Sequence, residues 1–225
     1  MDFFPLQLSL RVSIIAVFWA FVTGIPIAYF LAKKSFKGKS LVEAFITLPI
    51  VLPPTVLGYY LLILIGRTSF IGDIFFELGI PLVFTWRAAV IASYVVSVPF
   101  LIKSARAAFS SVDKNLEDAA RLLGRSELEI FFFVTIPLAW RGIATGIVLA
   151  FARAIGDFGT TIMISGNIPG RTQTTPIAIY DAVLAGEITR ANTLVAIISI
   201  VALTVLFLLS KLEGTMSRGE KNAKL

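Results

Sequence analysis

The chain has 225 residues, of which 57% are hydrophobic and only 15% charged, with 20 Lys and Arg against 14 Asp and Glu. A soluble domain usually carries charge on about a quarter of its residues, so much of this apolar surface must face something other than water. The sequence contains no cysteine and no histidine, which excludes disulfides and sites built on thiolates or imidazoles. We therefore expect a membrane protein in which the chain itself holds no catalytic residue, metal or cofactor.

Several apolar runs reach about 20 residues, the length that a helix needs to cross a bilayer core of about 30 Å. We predict an all-α polytopic membrane protein, formed as a single domain over residues 1–225, with spans at about 7–32, 43–66, 83–109, 138–165 and 192–211. The first run has neither a basic start nor a cleavage site, so we expect a retained span rather than a signal peptide. The second contains Pro49, Pro53 and Pro54, and its helix must bend or break there.

The distribution of basic residues predicts the orientation of the spans. Fourteen of the 20 basic residues fall on one side of the predicted topology: Lys33, Lys34, Lys37, Lys39, Lys103, Arg106, Lys114, Arg121, Arg125, Arg141, Lys211, Arg218, Lys221 and Lys224. We therefore expect the amino terminus outside a cell membrane and the carboxyl terminus in the cytoplasm. The net charge of +6 then reflects topology, and no nucleic-acid partner is expected.

The longest predicted cytoplasmic connection, residues 110–137, has the features of two short helices. Asp113 is placed to cap the first helix and Gly124 to end it. Ser126 and Glu129 have capping-box spacing for a second helix, which we expect to end before Pro137. One face of the first helix is apolar and partly small, formed by Leu116, Ala119, Ala120 and Leu123. This pattern fits docking into a groove of a soluble partner, and it equally fits a connector that lies on the membrane surface.

A longer motif in this connection resembles the EAA loop of ABC-importer permeases, which has the form E-A-A-x3-G-x9-I-x-L-P. The matching residues are Asp118-Ala119-Ala120, Gly124, Val134 and Ile136-Pro137. Asp118, Val134 and Ile136 depart from the motif but keep its charge or hydrophobicity. The resemblance implies a coupling helix that sits in a cleft of a cytoplasmic ATPase subunit, and the MetI-like fold of that family. It implies transmission contacts at Glu117, Asp118, Ala119, Ala120, Arg121, Gly124 and Pro137.

The same resemblance implies the partners of the chain: a second copy of itself, ABC ATPase subunits that bind ATP and magnesium, an external substrate-binding protein and membrane lipid. The chain has no nucleotide motif of its own, because Lys33 stands where a P-loop ending in Gly38-Lys39-Ser40 would need glycine. Residues 34–40, 48–58, 156–159 and 166–172 resemble the molybdate branch of these permeases, although sulfate, tungstate and thiosulfate permeases share much of the pattern. The implied function is oxyanion import by alternating access. A secondary transporter, whose inverted repeats are not visible here, and a passive channel are the rival interpretations.

Two features within the predicted spans are candidates for the translocation path. The break at Pro53, Pro54 and Thr55 either lines the path or is a simple kink. Arg153 and Asp157 lie four residues apart inside the fourth span, where ionisable groups are costly. They fit either a gate or a structural ion pair.

A polar segment from Gly166 to Pro176 is predicted outside the membrane. Asn167, Arg171 and Thr172 suit an oxyanion mouth or a docking face for the binding protein, and a solvated loop is the competing interpretation. The short helix expected at 176–185 either lies on the outer membrane surface or enters it. Small residues recur at every fourth position of the fourth span: Gly142, Gly146, Ala150 and Ala154. They predict close helix packing, within one subunit or along a dimer seam.

Overall fold

A computed structural model describes residues 3–222, with the side chains of the last helix as far as Val205 and at Phe207. The described residues form helices and no strand: α1 (Phe4–Lys33), α2 (Lys39–Val51), α3 (Pro54–Ile65), α4 (Phe70–Glu77), α5 (Trp86–Ser111), α6 (Lys114–Leu122), α7 (Glu127–Ile130), α8 (Ile136–Ile155), α9 (Gly159–Ser165), α10 (Thr175–Leu184) and α11 (Ile188–Asn222). A π-helical turn, Phe131–Thr135, joins α7 to α8. The basic side chains of the tail, from Lys211 onward, lie outside the described side chains.

Helices α1 and α5 pack side by side and run in the same direction. Near their starts, Leu8 lies in one apolar cluster with Ala89, and near their ends Leu31 lies in another with Phe109. Helix α8 begins beside the end of α5, where Ala139 joins the cluster of Phe109, and its later residues lie along the middle of α5. The three helices therefore form a packed unit in which α8 runs opposite to the other two.

This geometry determines the number of crossings. Because α1 and α5 begin on the same side, which we call the start side, the chain between them must return across the bilayer. The return crossing is the pair α2–α3, which is bent by 114° at the break between the two helices. The end of α3 lies beside the start of α5, since Leu61 and Ile65 cluster with Ala88 and Ala92. Counted over the described residues, the crossings are α1, the bent pair α2–α3, α5, the helix Glu127–Ile155 and α11.

The break that the prolines predict in the second span is present. Helix α2 ends at Val51, and α3 begins at Pro54. Pro53 and Pro54 have no N–H to leave unsatisfied, and a proline at the first helical position is preorganised for the helix that follows. The 43–66 span is therefore two short helices joined at a proline corner.

The predicted 138–165 span differs from the structure at its carboxyl end, because it is not one helix. Helix α8 ends at Ile155, and α9 begins at Gly159. The Asp157 carboxylate accepts the backbone N–H of Thr161 at 3.0 Å and its hydroxyl at 2.8 Å. This side chain therefore caps the start of α9 and competes with the continuation of α8.

The second short helix of the 110–137 connection does not end before Pro137. Helix α7 continues through the π turn into α8 as one helix, Glu127–Ile155. In this turn the N–H of Ile136 bonds to the carbonyl of Phe131, one residue further back than in an α-helix. The wider turn makes room for the proline ring, and the missing N–H of Pro137 falls in the first turn of α8.

The ladder of small residues packs inside the chain. A Cβ atom on Gly142 would lie 2.4 Å from the Cβ of Ala108, and one on Gly146 would lie 3.0 Å from the Cβ of Ser104. The Ser104 hydroxyl donates a hydrogen bond of 2.7 Å to the carbonyl of Gly142. The backbones of α5 and α8 are thus nearly in contact, as small residues permit.

Helix α10, expected at 176–185, packs on the start side against α1 and α11. The N–H of Thr175 donates to the hydroxyl of Ser9 at 2.7 Å, and Ile177, Ala178 and Ala182 are buried. This helix is therefore held by its neighbours along one face.

We predict that Gly142→Ala destabilises the protein, because the added methyl group would lie 2.4 Å from the Cβ of Ala108. Overpacking of this kind costs about 1–3 kcal/mol, which thermal unfolding in detergent would measure. Ala108→Gly in the same chain should restore most of the loss. Gly156→Ala is the control, since a Cβ there has only the Ala152 carbonyl near it, at 3.4 Å. A Gly142→Ala variant as stable as the wild type would contradict the close packing.

Candidate functional site

The loop between α5 and α8 has the local structure that its capping residues predict. Asp113 accepts the N–H of Asn115 at 2.9 Å. Gly124 follows α6 with φ +81°, a left-handed conformation that favours glycine. The N–H of Ser126 donates to the Glu129 carboxylate at 2.8 Å, and the N–H of Glu129 donates to the Ser126 hydroxyl at 3.3 Å. Both predicted caps are confirmed, and they fix where α6 and α7 begin.

The outer surface of α6 exposes large apolar side chains. Leu122 is 90% exposed and Leu123 is 83% exposed. On the face that the sequence predicts, Leu116 and Ala119 are also exposed, whereas Ala120 is half-buried. We call Leu116, Ala119, Leu122 and Leu123 the α6 surface. Leu122 was missed because it lies outside the helical spacing of the predicted face. Clustered apolar exposure of this kind marks an interaction surface.

Glu117 points into the protein. Within α6, every residue of which is described, it is the one buried side chain. One carboxylate oxygen accepts a hydrogen bond of 2.8 Å from the Lys33 ammonium group, and the other accepts one of 2.7 Å from the Thr135 hydroxyl. Lys33 ends α1, and Thr135 lies in the π turn. Sequence reasoning places Glu117 among the contact residues of this loop but does not reveal these two partners.

Arg121 links the two short helices of the loop. Its guanidinium group donates to the Glu127 carboxylate at 2.6 and 3.0 Å, and also to Asp118. These hydrogen bonds, that with Glu127 first, raise the pKa of Arg121 above its ordinary value. Asp118 keeps most of its side chain exposed despite this pairing. Pro137, the last residue of the predicted set, is exposed in the first turn of α8 rather than on α6.

The predicted break between α2 and α3 lies next to the break between α8 and α9 that the structure reveals. A Cβ on Gly159, the first residue of α9, would lie 2.7 Å from the Cβ of Pro54. Further along, a Cβ on Gly58 would lie 2.6 Å from the Cβ of Met163. Pro53, Pro54 and Thr55 are exposed at this junction. The structure thus brings the candidate path residues of the second span beside the break that follows Asp157.

Arg153 and Asp157 form an ion pair, with 3.1 Å between the guanidinium nitrogen and the carboxylate oxygen. The Asp157 side chain is 1% exposed, and that of Arg153 is 28% exposed. The second carboxylate oxygen of Asp157 is held by Thr161. Since both oxygens have donors within the chain, the geometry supports a framework role for Asp157 at the α8–α9 junction.

The predicted outer segment is an ordered polar cluster on the start side. The buried amide of Gln173 donates to the Asn167 side chain at 2.8 Å and to the Asp181 carboxylate at 3.1 Å. Asn167 donates in turn to Asp181 at 2.9 Å. Thr172 is buried, and its hydroxyl accepts the N–H of Ile168 at 3.1 Å. Asn167 and Thr172 therefore hold the loop together. Gln173 lies within the predicted polar segment. Sequence reasoning does not reveal Asp181, although it is the one charged residue of α10.

Arg171, the third predicted outer residue, is exposed and lies beside a second arginine. It lines a shallow cavity together with Gln7, Arg11 and Trp86. The Arg11 guanidinium carbon lies 4.2 Å from the centre of a Trp86 ring, a cation–π contact. This cavity concentrates positive charge on the start side.

The fold is that of ABC-importer permease subunits. The inward-facing MetNI methionine ABC transporter matches it with a TM-score of 0.70 and 18% identity, over 92% of each chain. A bacterial alginate ABC transporter in complex with an alginate pentasaccharide-bound periplasmic protein matches with a TM-score of 0.68 and 17% identity, over 90% of this chain and 75% of that one. At such identities the likeness establishes the fold alone, and the predicted fold class is confirmed.

The sequence comparisons establish the family. The model for binding-protein-dependent transport system inner membrane components matches residues 24–212, and the chain belongs to this family. The molybdenum transport system permease protein ModB of Escherichia coli K12 is 42% identical over 212 residues, which cover 94% of this chain and 93% of ModB. The probable sulfate transport system permease protein cysT of Prototheca wickerhamii is 31% identical over 211 residues, 93% of this chain and 82% of cysT. The resemblance predicted from the sequence motifs is confirmed, and the chain is a multi-pass membrane transport subunit.

We predict that Asp157→Ala lowers the free energy of unfolding by about 2–3 kcal/mol, because Arg153 and the first turn of α9 lose a buried partner. Thermal unfolding in detergent measures this loss. The control is Glu187→Ala, which removes an exposed ion pair of 2.9 Å with Arg190 and should change stability by less than about 0.5 kcal/mol. If the two variants were equally stable, the framework role of Asp157 would be wrong.

Proposed function

We propose that this protein is the membrane-spanning subunit of an ATP-binding-cassette importer that moves a tetrahedral oxyanion, molybdate, into the cell by alternating access. The 42% identity with a molybdenum transport permease over nearly the whole chain carries the proposal. The working transporter would contain two copies of this chain, two cytoplasmic ATPase subunits and an external binding protein. ATP and magnesium would bind to the ATPase subunits, so the chain supplies the path and no catalytic group.

The α6 surface is the proposed docking site for the ATPase. Leu122 and Leu123 project from a short helix beyond the membrane helices, where an apolar cleft on a partner can bury them. Ala119 permits close backbone approach, and the exposed charge of Asp118 lies at the margin of this surface. Arg121, Gly124 and Pro137 would support the loop rather than dominate the contact, judging from their positions in it.

The side that holds α6 is the proposed cytoplasmic side. Lys33, Lys34, Lys114 and Arg121 surround one cavity there, in agreement with the excess of basic residues in cytoplasmic loops. With five crossings, the amino terminus then lies outside and the carboxyl terminus in the cytoplasm.

The proposed cycle converts movement of α6 into a change of access. When ATP binding draws the ATPases together, α6 would carry the packed unit of α1, α5 and α8 with it. The adjoining breaks at Pro54 and Gly159 are the places where the remaining helices can change angle, because their backbone is already interrupted. ATP hydrolysis would then reset the inward-facing state. Arg171 and Arg11 on the start side would attract the anion or acidic groups of the binding protein.

Sulfate is the second candidate substrate, favoured by the 31% identity with a probable sulfate permease. Molybdate and sulfate are both tetrahedral dianions, so a permease path suited to one has the right charge and symmetry for the other. The higher identity with the molybdenum permease decides between them here.

Leu123→Asp is expected to weaken association with the cognate ATPase at least tenfold, because a charge would enter a buried apolar contact. Asp118→Lys reverses an exposed charge at the margin of this surface, and we expect it to abolish association while leaving the protein in the membrane. Co-purification from detergent measures both. Leu184→Asp is the matched control, since Leu184 is likewise exposed (69%) but lies at the end of α10 on the start side. Normal co-purification of both α6 variants would exclude this surface as the docking site.

ATP hydrolysis in liposomes tests the substrate. The chain, its ATPase and its binding protein are reconstituted together, and the binding protein is loaded with molybdate or with sulfate. Molybdate-loaded binding protein is expected to stimulate hydrolysis, and sulfate-loaded binding protein is not. Stimulation by sulfate alone would keep the class of transporter and overturn the substrate. If no ATPase binds the chain, the importer proposal itself is wrong.

A further inference from the structure

Helix α6 has an unusual attachment to the rest of the chain. Its leucines face outward, and its one buried side chain is a carboxylate, Glu117. Apolar burial therefore contributes little to holding α6 in place, although apolar burial is the usual means of fixing a short helix. Arg121 adds an exposed ion pair with Glu127, and exposed pairs contribute little to stability. The contacts made by Glu117 are therefore the buried side-chain attachment of α6.

Those contacts reach two elements that are distant in sequence. Lys33 lies 84 residues before Glu117, and Thr135 lies 18 residues after it. The Lys33 side chain is 15% exposed and that of Glu117 is 4% exposed. In such surroundings an unpaired carboxylate is strongly unfavourable, so Glu117 is stable only where both donors are within reach. The pair therefore specifies one position of α6 relative to α1 and the π turn.

The two partners belong to the packed unit of membrane helices. Tyr29, one turn before Lys33, has its ring 4.7 Å from that of Phe131 in the π turn and 5.6 Å from that of Phe109 in α5. A displacement of Glu117 thus acts on α1, α5 and the entry to α8 together. Helix α2 differs from α1, α5 and α8, because none of its described side chains is buried, so it is not part of this packed unit.

We infer that Glu117 is a positioning residue that couples α6 to the membrane helices through Lys33 and Thr135. This inference rests on the proposed function and gives one of its steps a structural basis. The resemblance to other permeases implies that Glu117 touches the ATPase, but both its oxygens are engaged inside this chain. Movement of the ATPase enters through the α6 surface and passes to α1 and α8 through this carboxylate.

The test uses Glu117→Ala, Lys33→Met and the exchanged pair Lys33→Glu/Glu117→Lys. Lys34→Met is the matched control, because Lys34 is the next residue and lines the same cavity but makes no contact with Glu117 among the hydrogen bonds and ion pairs of the described residues. Hydrogen exchange of residues 114–122 is measured on the chain alone. Co-purification with the ATPase, and anions imported per ATP hydrolysed, are measured on the complete transporter in liposomes.

Faster exchange of α6 is expected in both single variants but not in Lys34→Met. Both should still bind the ATPase, whereas the number of anions imported per ATP should fall about fivefold or more, the range of a typical coupling free energy. The exchanged pair should recover at least half of the lost ratio of anions to ATP. A purely steric role of Glu117 would not produce this recovery.

Unchanged exchange of α6 in Glu117→Ala would overturn the inference, as would an unchanged ratio of anions to ATP. Loss of ATPase binding in this variant, with α6 exchange as in the wild type, would make Glu117 a docking contact instead. Failure of the proposed function is distinguishable, because then the wild-type chain itself would bind no ATPase and import nothing with ATP. The exchange measurement on the chain alone would still decide whether Glu117 holds α6.

Discussion

A backbone N–H or C=O group that leaves a helix inside a bilayer has no water to replace its lost partner. This constraint governs the two interrupted crossings of the chain. Between α2 and α3 the prolines remove N–H groups, and between α8 and α9 the Asp157 carboxylate accepts the N–H of Thr161. The two breaks also lie next to each other, since Pro54 lies against Gly159, while residues 53–55 stay exposed. The irregular backbone therefore leaves fewer unsatisfied N–H groups at membrane depth than a simple break would.

The interruptions separate the broken helices from the continuous ones. Helices α1, α5 and α8 are each continuous. Helix α8 approaches α5 closely at Gly142 and Gly146, and α1 approaches α5 closely at Gly24. Their small side chains leave little freedom for sliding, because closely packed backbones resist displacement. The pair α2–α3 and the short α9 lie beside this unit and contact each other. In the proposed cycle, the closely packed unit would move as one body and the broken segments would change angle beside it.

The features that the sequence predicted correctly are those with local causes. Proline corners, the Asp113 cap and the Ser126–Glu129 capping box follow from residues within one or two turns of each other, so composition and spacing suffice. The sequence does not reveal the division of the 138–165 span, because the pattern indicates a gate or an ion pair with Arg153 for Asp157 and gives no sign that its carboxylate accepts the N–H of Thr161. The partners of Glu117 were missed for a different reason: Lys33 lies 84 residues away, and no spacing rule links the two positions.

Helix α6 has two requirements that oppose each other. For the proposed docking to an ATPase, it must stay fixed to the membrane helices and also leave apolar side chains free for that partner. If Leu122 and Leu123 packed inward they would secure the helix, but the apolar area buried within the chain would no longer be available to a second protein. A buried carboxylate with two donors fixes the helix without using that area. Its hydrogen bonds are also directional, so they determine a single position where apolar packing would tolerate several. A polar attachment therefore fixes the position of this short helix in its own chain and leaves its exposed leucines available to the proposed partner.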